Sequence, residues 1–88
     1  MNSLPKGKAR FIGRLREILG KEVEFETPIS LKELIESFPE EAKRLIYRKG
    51  KINIIILIND KPMDEFGGLS AILKENDVVA FIPPVGGG

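Results

Sequence analysis

The chain has 88 residues and a formal net charge of +1, 42% of its residues are hydrophobic, and cysteine and histidine are absent. It can therefore form no disulfide, no Ser-His-Asp or Cys-His catalytic centre, and no zinc site with the usual ligands. So small a net charge argues against a nucleic-acid-binding protein, and no apolar run approaches the ~20 residues of a membrane helix. We expect a single cytoplasmic domain whose partners are proteins, with no metal site; the abundance of Lys, Glu and Ile is typical of thermophiles.

The first predicted elements follow a leader at residues 1–7, which we expect to be flexible. Residues 8–13 alternate in orientation and predict a strand, and residues 14–19 predict a short helical turn that ends at Gly20. Residues 22–27 place glutamates on one face and Val, Phe and Thr on the other, which is the period of a half-buried strand. The two strands should pair as a hairpin.

The best-specified helix begins after Ser30. Ser30 and Glu33 have the spacing of a capping box, and Pro39 should end or kink the helix, with a second short turn after it. The apolar residues that follow the helical period are Leu31, Leu34, Ile35 and Phe38. They should face the sheet.

A cationic stretch comes after this helical region and consists of Lys43, Arg44, Arg48, Lys49 and Lys51. It has two interpretations. Either it recognises an acidic partner, or its side chains are solvated cations near a helix C-terminus, where they suit the helix dipole. The second interpretation is the more common for such a stretch, and both stay open at this point.

The second half of the chain predicts two more strands. Residues 52–58 form the most hydrophobic run, which predicts a central strand with one face against the helix. Residues 69–73 have room for one helical turn, and residues 78–82 predict the last strand. Pro83 and Pro84 should end the ladder of that strand because neither residue has a backbone N–H.

The order of these elements predicts the fold class. Two strands, a helix, a strand, a short helical piece and a strand indicate an α+β domain over residues 8–85. Its mixed sheet would have four to five strands packed on one main helix, with the first and last predicted strands as parallel neighbours.

The C-terminal residues 86–88 are three glycines, which we expect to form a flexible tail. Three terminal glycines occur by chance in only about 0.03% of chains, so chance explains them poorly. An expression scar or a frayed end is a stronger non-functional explanation than chance. Glycines carry no Cβ, so ~10 Å of such a tail can enter a narrow channel and deliver the carboxylate of Gly88. Adenylation would make this carboxylate reactive toward a sulfur or nitrogen nucleophile.

Two stretches resemble the MoaD/ThiS group of ubiquitin-like sulfur carriers, and within it the small subunits of molybdopterin synthase. Residues 11–20, which read FIGRLREILG, are similar to the first strand of that group and its Leu-Arg-Glu turn. Residues 76–88, which read NDVVAFIPPVGGG, are similar to its last strand, Pro-Pro-Val segment and terminal glycines. Between them, Ile58 and Asn59 match its Val-Asn turn, so the likeness covers residues 8–88.

This resemblance implies a β-grasp fold and a carrier that is not itself an enzyme. A ubiquitin-activating-type enzyme would use ATP to adenylate Gly88, and the product would become a thiocarboxylate. The large subunit of molybdopterin synthase, in a heterotetramer, would use that sulfur to build the dithiolene of molybdopterin for a molybdenum or tungsten cofactor. The chain would bind no cofactor of its own.

The resemblance also implies the site residues. Gly88 carries the reacting carboxylate, and Gly87 gives clearance beside it. The partner-binding residues would be Ile12, Arg16, Ile82, Pro83, Pro84, Val85 and Gly86. From the strand pattern alone, Ile12 and Ile82 alternate with the core candidates Phe11 and Phe81, and they form a patch only if Ala80, Ile55 or Leu57 joins them.

Three other functions remain open. A protein modifier would join Gly88 to lysines through an isopeptide bond, because the same acyl-adenylate serves both reactions. Sulfur carriage for thiamin or cysteine fits the Leu-Arg-Glu segment less well. A plain β-grasp interaction domain would not need its glycines at all.

Overall fold

A mixed β-sheet organises the fold, which a computed structural model describes for residues 4–84. The helices of this part of the chain are α1 (Arg14–Leu19), α2 (Leu31–Glu36) and α3 (Glu40–Ile46), and two 3-10 turns span Met63–Phe66 and Gly68–Ser70. Its strands are β1 (Lys6–Phe11), β2 (Glu22–Glu26), β3 (Ile29–Ser30), β4 (Tyr47–Arg48), β5 (Lys51–Ile52), β6 (Ile55–Ile58), β7 (Lys61–Pro62), β8 (Ile72–Leu73) and β9 (Val78–Ile82).

The main sheet has five strands in the order β2-β1-β9-β6-β7. β1 and β2 form the predicted antiparallel hairpin, and β1 runs parallel to β9, which confirms that the first and last predicted strands are neighbours. Two small ribbons, β3 with β8 and β4 with β5, lie outside this sheet. The α+β class with a mixed sheet is confirmed.

The first strand begins earlier than predicted. Lys6 and Gly7 pair with Glu26 and Phe25 of β2, so the strand begins two residues before its predicted start at Lys8. Residues 1–3 lie outside the described part. Gly7 is buried, and a Cβ there would stand 2.6 Å from Cζ of Phe25 and 2.9 Å from the carbonyl oxygen of Asp77. This position of the sheet therefore requires glycine, because the Phe25 ring and the Asp77 carbonyl occupy the space that a Cβ would need.

The predicted capping box is confirmed at the start of α2. The Ser30 hydroxyl accepts a hydrogen bond from the Glu33 N–H at 3.0 Å, and the Glu33 carboxylate accepts one from the Ser30 N–H at 3.2 Å. Pro39 separates this helix from the second helical segment predicted after it: α2 ends three residues before Pro39, and Pro39 is the N-cap of α3. The four apolar residues predicted on this helix face are all buried.

Two of the predicted elements are wrong in extent. Residues 52–58 do not form one central strand: the Asn53 N–H donates to the Ile46 carbonyl at 2.7 Å, which draws the chain toward α3 and leaves only Ile55–Ile58 in the sheet. The central position belongs to β9. The helical turn predicted at residues 69–73 is also misplaced, because the 3-10 turns come earlier and Ile72–Leu73 pairs with β3.

The core lies between the inner face of the sheet and the helices. Its centre is an aromatic cluster in which the ring centroids of Phe11, Phe38 and Phe81 are 5.2 to 5.6 Å apart. Such contacts add to the burial of apolar area, which is the main stabilising contribution to the fold. No polar side chain is buried among residues 4–84. In the same part of the chain, no helix is long and apolar enough to cross a membrane.

Candidate functional site

The outer face of the sheet carries an apolar surface next to the C-terminal end of β9. Ile82 lies opposite Ile55, and Ala80 lies opposite Leu57, in the register of β9 with β6. Ile12 follows β1, and its N–H donates to the Phe81 carbonyl at 3.3 Å, so the parallel register continues to place it beside Ile82. We call these five residues, Ile12, Ile55, Leu57, Ala80 and Ile82, the apolar strip.

The apolar strip is accessible for binding. Ile12 is 51% exposed and Ile55 is 45% exposed. By contrast, Phe11 and Phe81, which face inward on β1 and β9, are 2% and 0% exposed. A single exposed aliphatic residue is common, but a contiguous group across three strand positions is typical of a partner-binding surface. The structure thus brings Ile12 and Ile82 together with all three residues on which their patch depended.

Charged side chains cover the remainder of the outer face. Arg10 pairs with Glu22 at 3.1 Å, Lys8 pairs with Glu22 at 3.8 Å, and Lys6 pairs with Glu24 at 3.7 Å. These pairs are largely exposed, so each contributes little to stability. They border the apolar strip on its β1 and β2 side, as a polar rim borders the centre of a protein interface.

The base of the tail is held against the start of α1. Gly13, the N-cap of α1, has a φ of 68°, and a Cβ on it would lie 3.1 Å from Cγ of Pro83. Pro83 is half-buried and Pro84 is exposed. A groove of about 140 Å³ runs beside this contact and is lined by Arg14, Leu15, Leu45, Asn53, Ile54, Pro83 and Pro84.

The other predicted site residues fall into two groups. Arg16 lies on α1 with an exposed side chain, and among residues 4–84 no carboxylate comes within ion-pair distance of it. Val85, Gly86, Gly87 and Gly88 lie outside the described residues.

Sequence reasoning missed the groove residues Leu45, Asn53 and Ile54. They come together because the chain leaves β5, bonds to the end of α3 through Asn53, and only then enters β6. One signal was present in the sequence: Asn53 is a polar residue inside an otherwise apolar run, and such a residue indicates an interrupted strand.

The described residues of this site form an apolar strip and an adjoining groove, an arrangement suited to binding a partner. A concavity of about 500 Å³ lies on the charged part of the outer face and is lined by Lys6, Lys8, Arg10 and Glu24 among others. It extends to Asn76 and Val78, which lie at the end of β9 opposite to Pro83. Within residues 4–84, no three acidic side chains are grouped to hold a metal ion.

Comparison with known proteins agrees with this geometry. The model of the ThiS family matches residues 9–88. No curated protein matches the sequence significantly. Small archaeal modifier protein 1 from Methanosarcina acetivorans is 28% identical with a TM-score of 0.74, and the match covers 99% of this chain and 100% of that one.

Two further solved structures are similar. A Pyrococcus furiosus protein, described provisionally as molybdopterin converting factor subunit 1, is 28% identical with a TM-score of 0.71 and coverage of 94% and 100%. A chain of the BexX/CysO complex from Amycolatopsis orientalis is 27% identical with a TM-score of 0.74 and coverage of 93% and 99%. Small carriers of this kind work with partner enzymes and are generally not catalytic themselves. This chain belongs to the ThiS family and has the β-grasp, ubiquitin-like fold of the ThiS/MoaD sulfur carriers.

Proposed function

We propose that this chain is the sulfur-carrying small subunit of molybdopterin synthase, with Gly88 as the residue that carries sulfur. The observation that supports this most is the continuity of the apolar strip with the base of the tail, since Ile82 of the strip is followed directly by Pro83. The tail would therefore begin beside the contact surface of a partner that binds the strip. The similarity to the Pyrococcus furiosus protein favours the molybdopterin branch of the family.

The proposed chemistry takes place in the active sites of partner enzymes. A ubiquitin-activating-type enzyme joins the Gly88 carboxylate to the α-phosphate of ATP, and pyrophosphate leaves. Sulfide, supplied by the sulfur donor, then attacks the acyl carbon and displaces AMP, which gives the thiocarboxylate with no change of oxidation state. The large synthase subunit transfers this sulfur into the dithiolene of molybdopterin.

In that scheme, the residues of this chain bind the partner enzymes and orient the tail. The apolar strip supplies binding energy remote from the reacting atom, which a partner enzyme can use to position the carboxylate. Pro83 and Pro84 have fixed φ angles and limit the directions in which the tail can leave β9. Gly87 has no side chain, so the tail can fit a channel that admits only a backbone.

Intact-mass spectrometry tests this proposal. The chain is incubated with ATP, the adenylating enzyme from the same genome and a sulfur donor. We expect a product heavier by the difference between one sulfur and one oxygen atom, located at Gly88 by fragmentation. Absence of that product under conditions in which the enzyme binds the chain would refute the proposed function.

Two variants test the role of the tail. One extra residue after Gly88 should abolish activation, because the carboxylate is then displaced from the adenylation site. Gly87→Ala should leave the fold intact and slow activation, because its methyl group obstructs the channel. Full activity of the extended chain would contradict the terminal-carboxylate mechanism.

A second candidate function is protein modification. The similarity to small archaeal modifier protein 1 favours it, because that match covers nearly the whole of both chains. A modifier predicts that lysines of other cellular proteins acquire an isopeptide-linked remnant of the Gly88 end. Peptide mapping of a lysate that contains the activated chain distinguishes this outcome from sulfur transfer.

A further inference from the structure

The β4–β5 ribbon presents a group of cations for which the described part of the chain supplies no counter-charge. Arg48, Lys49 and Lys51 are exposed, and no carboxylate within residues 4–84 is close enough to form an ion pair with them. We call these three residues the cationic hairpin. Lys43 differs, because it pairs with Glu40 at 3.0 Å and with Glu36 at 3.7 Å. Its hydrogen bond to Glu40 is the main cause of its raised pKa.

Fold stability does not account for the cationic hairpin. Arg48 and Lys51 lie directly opposite each other in the ribbon, and like charges at such positions repel. Lys49 has a φ of 54°, a left-handed conformation in which turns of this kind favour Asn or Gly. The helix dipole gives no explanation either, because α3 ends at Ile46 and its field is felt mainly within the last turn.

Only Ile52 separates Lys51 of the cationic hairpin from Asn53, which lines the groove at the base of the tail. Asn53 and Ile54, which follow β5 immediately, line one groove with Pro83 and Pro84. The next residue, Ile55, belongs to the apolar strip. The hydrogen bond from Asn53 to Ile46 anchors the ribbon at this place. The hairpin thus leads within a few residues into the start of β6, which lies opposite Ile82 at the end of the sheet from which the tail leaves.

We propose that the cationic hairpin binds acidic side chains at the rim of the enzyme site that receives the Gly tail. This inference rests on the proposed function, in which such an enzyme activates Gly88. Charge complementarity and continuity with the apolar strip identify the partner as a protein with carboxylates around an apolar contact area. A nucleic acid fits less well, because the net charge is only +1 and glutamates of β2 share the outer face.

Association kinetics with the adenylating enzyme from the same genome test this inference. The test variant carries Arg48→Gln, Lys49→Asn and Lys51→Gln, which removes three charges, and Asn suits the left-handed turn position. The matched control carries Lys32→Gln, Lys61→Gln and Lys74→Gln, which removes the same charge from exposed positions away from the hairpin. Thermal unfolding should show that both variants are folded.

The expected result concerns the association rate at low salt. It should fall about tenfold in the hairpin variant and lose most of its salt dependence, while the control variant stays close to the wild type. Equal rates for the two variants would overturn the inference. Salt-dependent association that needs the hairpin, without any activated product, would support the inference and refute the proposed function.

Discussion

Neighbouring residues of the same strands have opposite roles in this protein. Phe11 and Phe81 face inward and are 2% and 0% exposed, whereas Ile12 and Ile82, one position later, lie on the outer face. The inner residues pack with Phe38 into the core, and the outer ones form the apolar strip. Because side chains alternate along a strand, one backbone supports both a folding face and a binding face. The two faces should therefore respond differently to substitution.

The largest expected effect is on the inner face. Phe81→Ala removes the ring that contacts both Phe11 and Phe38, and it should lower the free energy of unfolding by about 3–5 kcal/mol. Ile12→Ala, on the outer face, should cost less than about 1 kcal/mol because that side chain is already half exposed. Urea denaturation measures both values. Similar costs for the two variants would remove the distinction between the faces.

Gly7→Ala tests how closely the inner face is packed at β1. The new methyl group would overlap the Phe25 ring and the Asp77 carbonyl, so unfolding free energy should fall by about 1–3 kcal/mol. The loss should be smaller when measured in a Phe25→Leu background, because the ring supplies the two nearest atoms. A double-mutant cycle by denaturation measures this coupling, and strictly additive costs would show that the ring is not the obstacle.

Ile55→Thr examines the outer face as a binding surface. Threonine keeps the β-branched shape, so the fold should lose less than about 1 kcal/mol, but affinity for the adenylating enzyme should drop about tenfold. Ile72→Thr is the matched control, because Ile72 is 56% exposed in β8 and lies outside the apolar strip. Isothermal titration measures both affinities. Equal affinities for the two variants would contradict the assignment of the strip.

The smallest effect is expected from the charged part of the outer face. Glu22→Gln removes the pairs with Arg10 and Lys8 and should cost about 0.2–1 kcal/mol at low salt. The cost should vanish at high salt because exposed charges are screened. Glu26→Gln is the control, since Glu26 forms no ion pair within residues 4–84. A salt-independent cost for Glu22→Gln would indicate packing rather than charge.

Local patterns predicted much of this fold correctly. The capping box at Ser30 and Glu33 depends on contacts three residues apart, and the hairpin of β1 and β2 follows from alternation within each strand. Such features depend on residues that are close together in the sequence, so the sequence alone is sufficient to predict them. The parallel pairing of β1 with β9 was expected from the order of the elements, but only the structure establishes it.

The errors concern interactions between distant residues. Asn53 breaks the apolar run because it bonds to the end of α3, and β8 forms because it meets β3. Neither partner is visible in the local pattern. The site shows the same limit: Ile12 and Ile82 were predicted, but only the register of β9 with β6 shows that Ile55 and Leu57 extend them into a strip.

The central position of β9 has a mechanical consequence for the tail that follows it. β9 bonds to β1 on one side and to β6 on the other, so a force applied along the tail loads two ladders of hydrogen bonds at the same time. A load along the axis of β9 shears these bonds together rather than opening them one by one, because the bonds run across the strands. A partner can thus pull on this end of the chain while the sheet resists extension.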